Sequence, residues 1–452
     1  MLKKNDEITL TVRNCTLQGS GVCDYNGFTV FVRGAVTGDR VLAHIIKVKK
    51  SYAVAIIKKI IQKSPMRIKP ECPVCEKCGG CSFAHIKYED ELKIKQQQVC
   101  DNFQRIGKSD VQVDSIIPSA HTYRYRNKAQ YPVGFDGSFA QIGFYAPMTH
   151  RIIDCDDCKL QPEEFSAITN VFRDLIREKK ISVYNEQTGK GTLRHIYIRK
   201  AAATDELMVC IVANVRNAVD NSEEIIGRLL ECNSNIKSII LNINTDKTNV
   251  VLGKKCVTLY GSDYITDELC GMKFQISPLS FYQVNHDTAE ILYNKAAEFA
   301  ELTGNETLLD IYCGTGTIGL TMAKKVKRLI GIEIIEQAVI NAKENAKLNS
   351  VNNAEFICGD ASAAAEKLKN NNIHADVVIL DPPRKGCDQK LIETVVGISP
   401  DRIVYVSCDS ATQARDCAIL NSMGYKTVKI APVDMFPRTG NSETVVLMSR
   451  II

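Results

Sequence analysis

Hydrophobic positions along this chain change their period twice. Over residues 8–61 they fall in short runs, Ile8–Val12, Phe28–Val32, Arg40–Lys47 and Ala53–Ile60, separated by turns at Gly19, Gly21, Gly27, Gly34 and Gly38. Apolar runs of this length between glycine turns predict β-strands. Some five strands in so short a stretch predict a small OB-like barrel. From Tyr88 to Ile106 the spacing becomes helical, with Leu92, Val99, Phe103 and Ile106 on one face and Gly107 as the stop. Residues 120–270 are strand-rich and mixed. Beyond Gly271 strands and helices alternate, through Thr307–Tyr312, Arg328–Glu333, Glu355–Cys358, the runs ahead of Asp381 and Cys408, Thr427–Ile430 and Thr444–Met448. That alternation predicts a doubly wound, Rossmann-like α/β domain. The chain thus divides into a barrel over 1–62, a mixed α+β domain over 63–270 and the α/β domain over 271–452, with helix 88–106 free to pack on the last.

The length of 452 residues fits two or three domains, and an apolar content of 45% can fill their cores. No apolar run is long enough to span a membrane, and Met1–Glu7 holds no signal-peptide stretch, so a cytoplasmic protein with no membrane partner is expected. There, 18 cysteines would be reduced thiols or metal ligands. Net charge is +5, but residues 1–70 carry 13 Lys and Arg against 4 Asp and Glu. A basic N-terminal module predicts a polyanionic partner, gripped first by Lys47, Lys49, Lys50, Lys58 and Lys59.

Candidate chemistry gathers at the ends of the predicted parallel strands, where open α/β sheets place their sites. Cys408 ends the run Arg402–Ser407, Asp381-Pro382-Pro383-Arg384 ends the run before it, and Glu443 opens the last strand. An ionised thiol beside acids and an arginine points to nucleophilic catalysis. Upstream, Cys313-Gly314-Thr315-Gly316-Thr317 joins a strand to a helix, and Glu333 ends the next strand. Glycines there let backbone approach a nucleotide-like ligand, and the acid accepts from ribose hydroxyls. The DPP turn and the position of the domain at the end of the chain favour S-adenosylmethionine over a dinucleotide.

Cys72, Cys75, Cys78 and Cys81 recur every third residue, and Cys155 and Cys158 follow later. Such spacing gathers thiolates round a metal centre, either tetrahedral zinc or a [4Fe–4S] cluster. His121-Thr122-Tyr123-Arg124-Tyr125-Arg126-Asn127-Lys128 alternates aromatic and basic residues, as a strand that stacks bases and meets phosphates would. The same alternation suits an amphipathic strand with a solvated basic face.

Together these motifs resemble the RNA uracil-5-methyltransferases, in particular the bacterial 23S ribosomal RNA type with an N-terminal TRAM domain and an iron–sulfur cluster. The markers are Cys72-x5-Cys78-Gly79-Gly80-Cys81, Tyr125-Arg126-Asn127-Lys128, Gly191-x-Leu193-Arg194-His195, Ser277-Pro278-x-Ser280-Phe281-Tyr282-Gln283-Val284-Asn285, Asp381-Pro382-Pro383-Arg384, Ser407-Cys408 and Met435-Phe436-Pro437-x-Thr439 ahead of Glu443. The resemblance spans essentially the whole chain. It implies cluster ligands at Cys72, Cys78, Cys81 and Cys158, with Cys75 and Cys155 extra. It places S-adenosylmethionine contacts at Gln283, Tyr312, Thr317, Glu333, Asp360 and Asp381, beside Gly314 and Gly316. It makes Cys408 the nucleophile and Glu443 the base, with RNA, foremost 23S ribosomal RNA, as partner of a monomeric enzyme. The alternatives are a transfer RNA substrate, or a non-catalytic RNA-binding iron–sulfur protein. Arg384, where amine methyltransferases carry an aromatic, and Ser407, where cytosine-C5 enzymes carry proline, speak against those chemistries.

Overall fold

In the computed structural model, which describes residues 2–451, the first five strands close into a barrel. Their spatial order is Glu7–Cys15, Ser20–Tyr25, Phe28–Arg33, Tyr52–Gln62 and Arg40–Val48. Alternate residues point inward, among them Leu10, Val12, Val30, Val32, Val41, Ala43, Ala53 and Ala55. This is the expected OB-like barrel. Its second strand has no strong apolar run, because its inward positions are Gly21 and Cys23. A side chain at residue 21 would meet Val12 Cγ1 at 2.7 Å and Ala35 Cβ at 2.9 Å, so only glycine fits that wall. Lys47, Lys49, Lys50 and Lys59 are exposed as expected, whereas Lys58 is paired with Glu7.

The central residues form a seven-stranded sheet in the order Lys255–Gly261, Ile236–Ile243, Leu207–Ala213, Leu193–Lys200, Lys128–Phe135, Ala140–Tyr145 and Ile152–Asp154. Helices Glu164–Arg177 and Ser222–Cys232 cover one face, burying Phe165, Ile168, Phe172, Ile225 and Leu229 against Ile196, Ile198, Val209 and Ile211. The opposite face does not meet water. Tyr197, Met208, Cys210 and Val212 share one core with Phe274, Leu292, Tyr293, Leu308, Val404 and Val445 of the C-terminal region. Strand Leu207–Ala213 is therefore apolar at every position, as a strand buried on both faces must be.

The C-terminal sheet runs Ala354–Cys358, Arg328–Glu333, Thr307–Ile311, Val377–Leu380, Arg402–Ser407, Glu443–Arg450 and Tyr425–Val433. The first five strands are parallel, and the last two pair antiparallel. Strand order reverses between Thr307–Ile311 and Val377–Leu380, which opens a crevice at their carboxyl ends. The free edge at Tyr425–Val433 is covered by bridges from Val113 to Ile430 and from Ile117 to Val433.

Two expectations need correction. Helix Tyr88–Arg105 lies against helix Ser410–Ser422, but its buried face is Glu91, Lys95, Val99 and Phe103, while Ile106 is exposed. Lys95 donates to Glu91 Oε1 at 2.7 Å and to Asp434 Oδ1 at 2.6 Å, and this pairing lets two charged residues take core positions. The segment His121–Lys128 is not an alternating strand, for the strand begins only at Lys128. Tyr125 is buried with its hydroxyl on Pro437 O at 2.9 Å, and Arg124 forks onto Asp157 at 2.6 and 2.9 Å. Tyr125 thus ties this segment to the loop ahead of Glu443, while Arg124 ties it to the turn that follows strand Ile152–Asp154.

Candidate active site

Register brings the proposed nucleophile and base together. Ser407 stands opposite Thr444 in the antiparallel pair, so the next step outward sets Cys408 against Glu443. Leu380 stands beside Tyr405 in the parallel neighbour, so Asp381 leaves its strand level with Val406, two residues short of Cys408. The loop carrying Arg384 is held from below. Thr412 Oγ1 donates to Arg384 O at 3.1 Å, Arg415 Nη2 to Lys385 O at 2.9 Å, and Cys387 N to Asp416 Oδ2 at 2.8 Å. Asp409 caps helix Ser410–Ser422, accepting from Ala411 N and Thr412 N at 3.0 Å each. The positive end of that helix dipole therefore begins just past the thiol.

The electrostatics are those of a desolvated pocket. Burial raises the Cys408 thiol, Glu443 raises it further, and the positive charge of the Arg384 guanidinium pulls it down. Glu443 is 5% exposed, and burial holds its carboxyl well above the usual range, with Asp381 adding to the rise and Arg384 opposing it. Asp381 is half-buried at the crevice floor, and desolvation pushes it up to about 7. Three acidic groups with raised proton affinity around one arginine fit proton-transfer chemistry near neutral pH.

The neighbouring cradle is built from strand Thr307–Ile311 and its glycine turn. Gly314 and Gly316 both take positive φ, and Gly316 caps helix Thr317–Met322. A β-carbon at residue 319 would meet Asp310 Oδ2 at 2.7 Å and Leu329 Cδ1 at 2.9 Å, so the helix can approach the strand only with glycine there. Glu333 accepts from Gly314 N at 3.1 Å and from Ile335 N at 2.9 Å, which fixes the turn beside it. Tyr312 is half-buried at positive φ, and the buried Thr317 hydroxyl meets Tyr293 Oη at 3.1 Å. Gln283 is buried in the segment opposite, its carbonyl accepting from Asn127 Nδ2 at 3.0 Å. Asp360 is exposed and already caps its own helix, accepting from Ala363 N at 3.1 Å.

Three supporting residues carried no sequence signal. Tyr293 looks like one more apolar position of helix His286–Ala300, yet it lies fully buried within reach of Thr317 and the fields of Asp381 and Glu443. Asn345 donates to Thr315 O at 3.1 Å and Asn341 to Ser280 Oγ at 3.0 Å, clamping the glycine turn to the segment that leads to Gln283.

The second cluster lies apart from this site. Cys72, Cys75, Cys78, Cys81, Cys155 and Cys158 all line one cavity of about 360 Å³, shared with Tyr123, Arg126 and Lys128. Burial, with neighbouring cysteines adding to it, raises the Cys155 thiol to about 12 and the Cys158 thiol to about 11, the latter against backbone hydrogen bonds from Leu160 and Gln161. Burial, with Arg199 and Arg126 adding to it, lowers Lys128 to about 8. Gly79 ends the turn Cys75–Cys78 at positive φ, where a side chain would collide with Pro147 Cγ. Among the described residues no three His, Cys, Asp or Glu side chains converge tightly enough to hold a single metal ion.

Fold and site define the class: a Rossmann-like methyltransferase that uses S-adenosylmethionine. Residues 87–451 match the family model described as tRNA (Uracil-5-)-methyltransferase. Uncharacterized RNA methyltransferases of Clostridium tetani and Clostridium acetobutylicum are each 44% identical to the chain, over 99% and 100% of it and 97% and 98% of their own lengths. The crystal structure of Pyrococcus abyssi tRNA (uracil-54, C5)-methyltransferase in complex with S-adenosyl-L-homocysteine aligns with a TM-score of 0.80 at 27% identity, covering 97% of this chain and 99% of that one. The chain belongs to the RNA uracil-5-methyltransferase family and is an S-adenosylmethionine-dependent enzyme acting on RNA. No helix of the described residues is long and apolar enough to cross a membrane.

Proposed function

We propose that this enzyme methylates C5 of a specific uridine in 23S ribosomal RNA, with Cys408 as nucleophile and Glu443 as base. The placing of Cys408 beside Glu443, one step past the Ser407–Thr444 pair at the mouth of the crevice, carries this reading. Uracil C5 is a weak nucleophile. Attack of the Cys408 thiolate on C6 breaks the C5–C6 double bond and sends its electrons into an enolate, which makes C5 nucleophilic. Glu333, Thr317 and Gln283 would hold S-adenosylmethionine, which would supply the electrophilic methyl group to C5 and leave as S-adenosylhomocysteine when its sulfur–methyl bond breaks. The methylated C5 still carries its hydrogen, and Glu443 takes that proton as the Cys408–C6 bond breaks. Arg384 favours the thiolate at the start of the cycle and again as it departs.

A transfer RNA substrate is the second reading. The Pyrococcus abyssi enzyme is named for tRNA and aligns over 97% of this chain, so a basic barrel does not by itself select ribosomal RNA. The resemblance to the bacterial ribosomal type favours the first reading. Mapping 5-methyluridine in ribosomal and transfer RNA from a strain lacking the gene decides between them. Loss at a 23S position is the expected result, and loss confined to transfer RNA transfers the assignment.

For the cysteine cavity the proposed occupant is a [4Fe–4S] cluster. The cavity is roomier than one ion needs, and the half-buried cations Arg126 and Lys128 on its wall suit an anionic group. Protein purified without oxygen should hold about four irons per chain. Cys78→Ser and Cys158→Ser should lose that iron, whereas Cys75→Ser and Cys155→Ser should keep it. Iron retained in the first pair and lost in the second would exchange the ligand assignments.

The barrel is proposed to hold RNA by its phosphates. Lys47, Lys49 and Lys50 stand exposed at one turn. Their replacement by glutamine should weaken RNA binding and lower its salt slope by roughly 0.7–0.9 per lost phosphate contact. An unchanged slope would leave recognition to the other domains.

A further inference from the structure

The strand that carries Glu443 is reached by the loop Asp434–Ser442, which leaves Val433 and returns to pair with it at Glu443. Such a loop, closed at its base, sets the position of its first returning residue by whatever grips its interior. Arg438 receives the densest grip. It is 6% exposed and takes a positive φ of 68°, a conformation disfavoured for arginine and maintained here by its neighbours. Its backbone N donates to Glu91 Oε1 at 2.8 Å, and its carbonyl accepts from Phe83 N at 3.0 Å. Its guanidinium donates to Ile86 O at 3.0 Å and to Thr122 Oγ1 at 3.4 Å. It also lies over the rings of Tyr88 and Tyr123, 5.6 and 5.0 Å from their centroids.

Each partner belongs to an element outside the catalytic sheet. Phe83 is two residues past Cys81, and Tyr123 and Cys81 both line the cysteine cavity. Glu91 is fixed by Lys95, which also reaches Asp434 Oδ1 at 2.6 Å and Phe436 O at 3.2 Å. Tyr125 Oη donates to Pro437 O at 2.9 Å. On its far side the loop touches the barrel, since a β-carbon at residue 440 would overlap Leu17 O. Barrel, cysteine loop and helix Tyr88–Arg105 therefore converge on a loop whose outgoing residue is the proposed base.

We propose that Arg438 is a positioning residue for Glu443 and the mechanical link between the cysteine loop and the catalytic strand. It touches neither thiol nor substrate. It holds the loop so that the Glu443 carboxylate meets the C5 proton, and this role rests on the reading of Glu443 as the base. Displacing a catalytic group by an ångström costs about a hundredfold in rate, and here the cost should fall on elimination, leaving the earlier attack and methylation in place.

The test uses the full-length enzyme with RNA from a strain lacking the gene, comparing Arg438→Ala, Arg438→Lys and Tyr125→Phe with Glu443→Gln. Arg438→Ala should lower turnover by about a hundredfold, keep S-adenosylmethionine affinity, and accumulate a covalent protein–RNA adduct. Arg438→Lys, which keeps the charge but not the fork, should recover part of the rate. Tyr125→Phe, which removes one bond and no volume, should show the same adduct more weakly. Adduct in Glu443→Gln but none in either Arg438→Ala or Tyr125→Phe overturns the positioning role and leaves the base intact. No adduct in Glu443→Gln removes the base reading itself, and the positioning role with it. If Arg438→Ala loses cofactor binding as well, Tyr125→Phe alone decides: near-normal turnover without adduct overturns the inference.

Discussion

Replacing Cys408 with alanine is expected to abolish methyl transfer and leave S-adenosylmethionine binding nearly unchanged. The thiol ends strand Arg402–Ser407, while the glycine turn that would hold the cofactor follows strand Thr307–Ile311, with strand Val377–Leu380 between them. Loss of one sulfur at the first position leaves the second alone. Without a nucleophile at C6 the uracil ring keeps its aromatic-like conjugation, and no other side chain at the mouth can replace the thiolate. The acids there have raised proton affinity, and the arginine carries no lone pair to donate. Single-turnover assays with labelled cofactor, beside equilibrium binding of the same cofactor, measure both halves. Turnover above a trace would take Cys408 out of the nucleophile role. Serine in its place should be equally inactive, because an alcohol is far harder to ionise than a thiol.

Much of this site could be read from the chain because parallel strands announce their ends. A buried apolar run followed at once by Asp381 or by Cys408 needs no tertiary information to be placed at a carboxyl edge, and two such runs in one doubly wound sheet share the same edge. Glu443 was equally legible as the residue before an apolar run. The pairing that sets it against Cys408 was not, since antiparallel register is fixed by contacts between segments far apart in sequence. Legibility failed where charge was buried. Glu91 and Lys95 read as solvent positions on helix Tyr88–Arg105, and their burial is tolerable because they pair with each other and with Asp434 and Arg438, more than 300 residues away. It failed again at His121–Lys128, where alternation mimics a strand but a positive φ at Arg124 breaks the extended backbone. Tyr293 and the two asparagines of helix Glu336–Leu348 act through partners that no local pattern names.

Glu443→Gln should behave in kind unlike the cysteine variant. Glutamine keeps the shape of the side chain and removes its capacity to accept a proton, so attack and methylation proceed and elimination does not. A covalent protein–RNA adduct should accumulate to near one per enzyme and survive denaturing electrophoresis, with the labelled methyl group inside it. Buried as it is, the native carboxyl has a raised proton affinity, and that makes its ionised form a stronger base than a solvated carboxylate. The same burial predicts the direction of the pH dependence. Proton removal by Glu443 requires the ionised form, and Cys408 must lose its own raised proton before attack, so wild-type turnover should climb from acid through neutral pH. In the glutamine variant the limb due to the carboxyl disappears, and adduct formation follows the thiol alone. An inactive Glu443→Gln enzyme that forms no adduct at any pH would assign Glu443 a role before attack, as the group that accepts the Cys408 proton, or a structural one at the head of its strand.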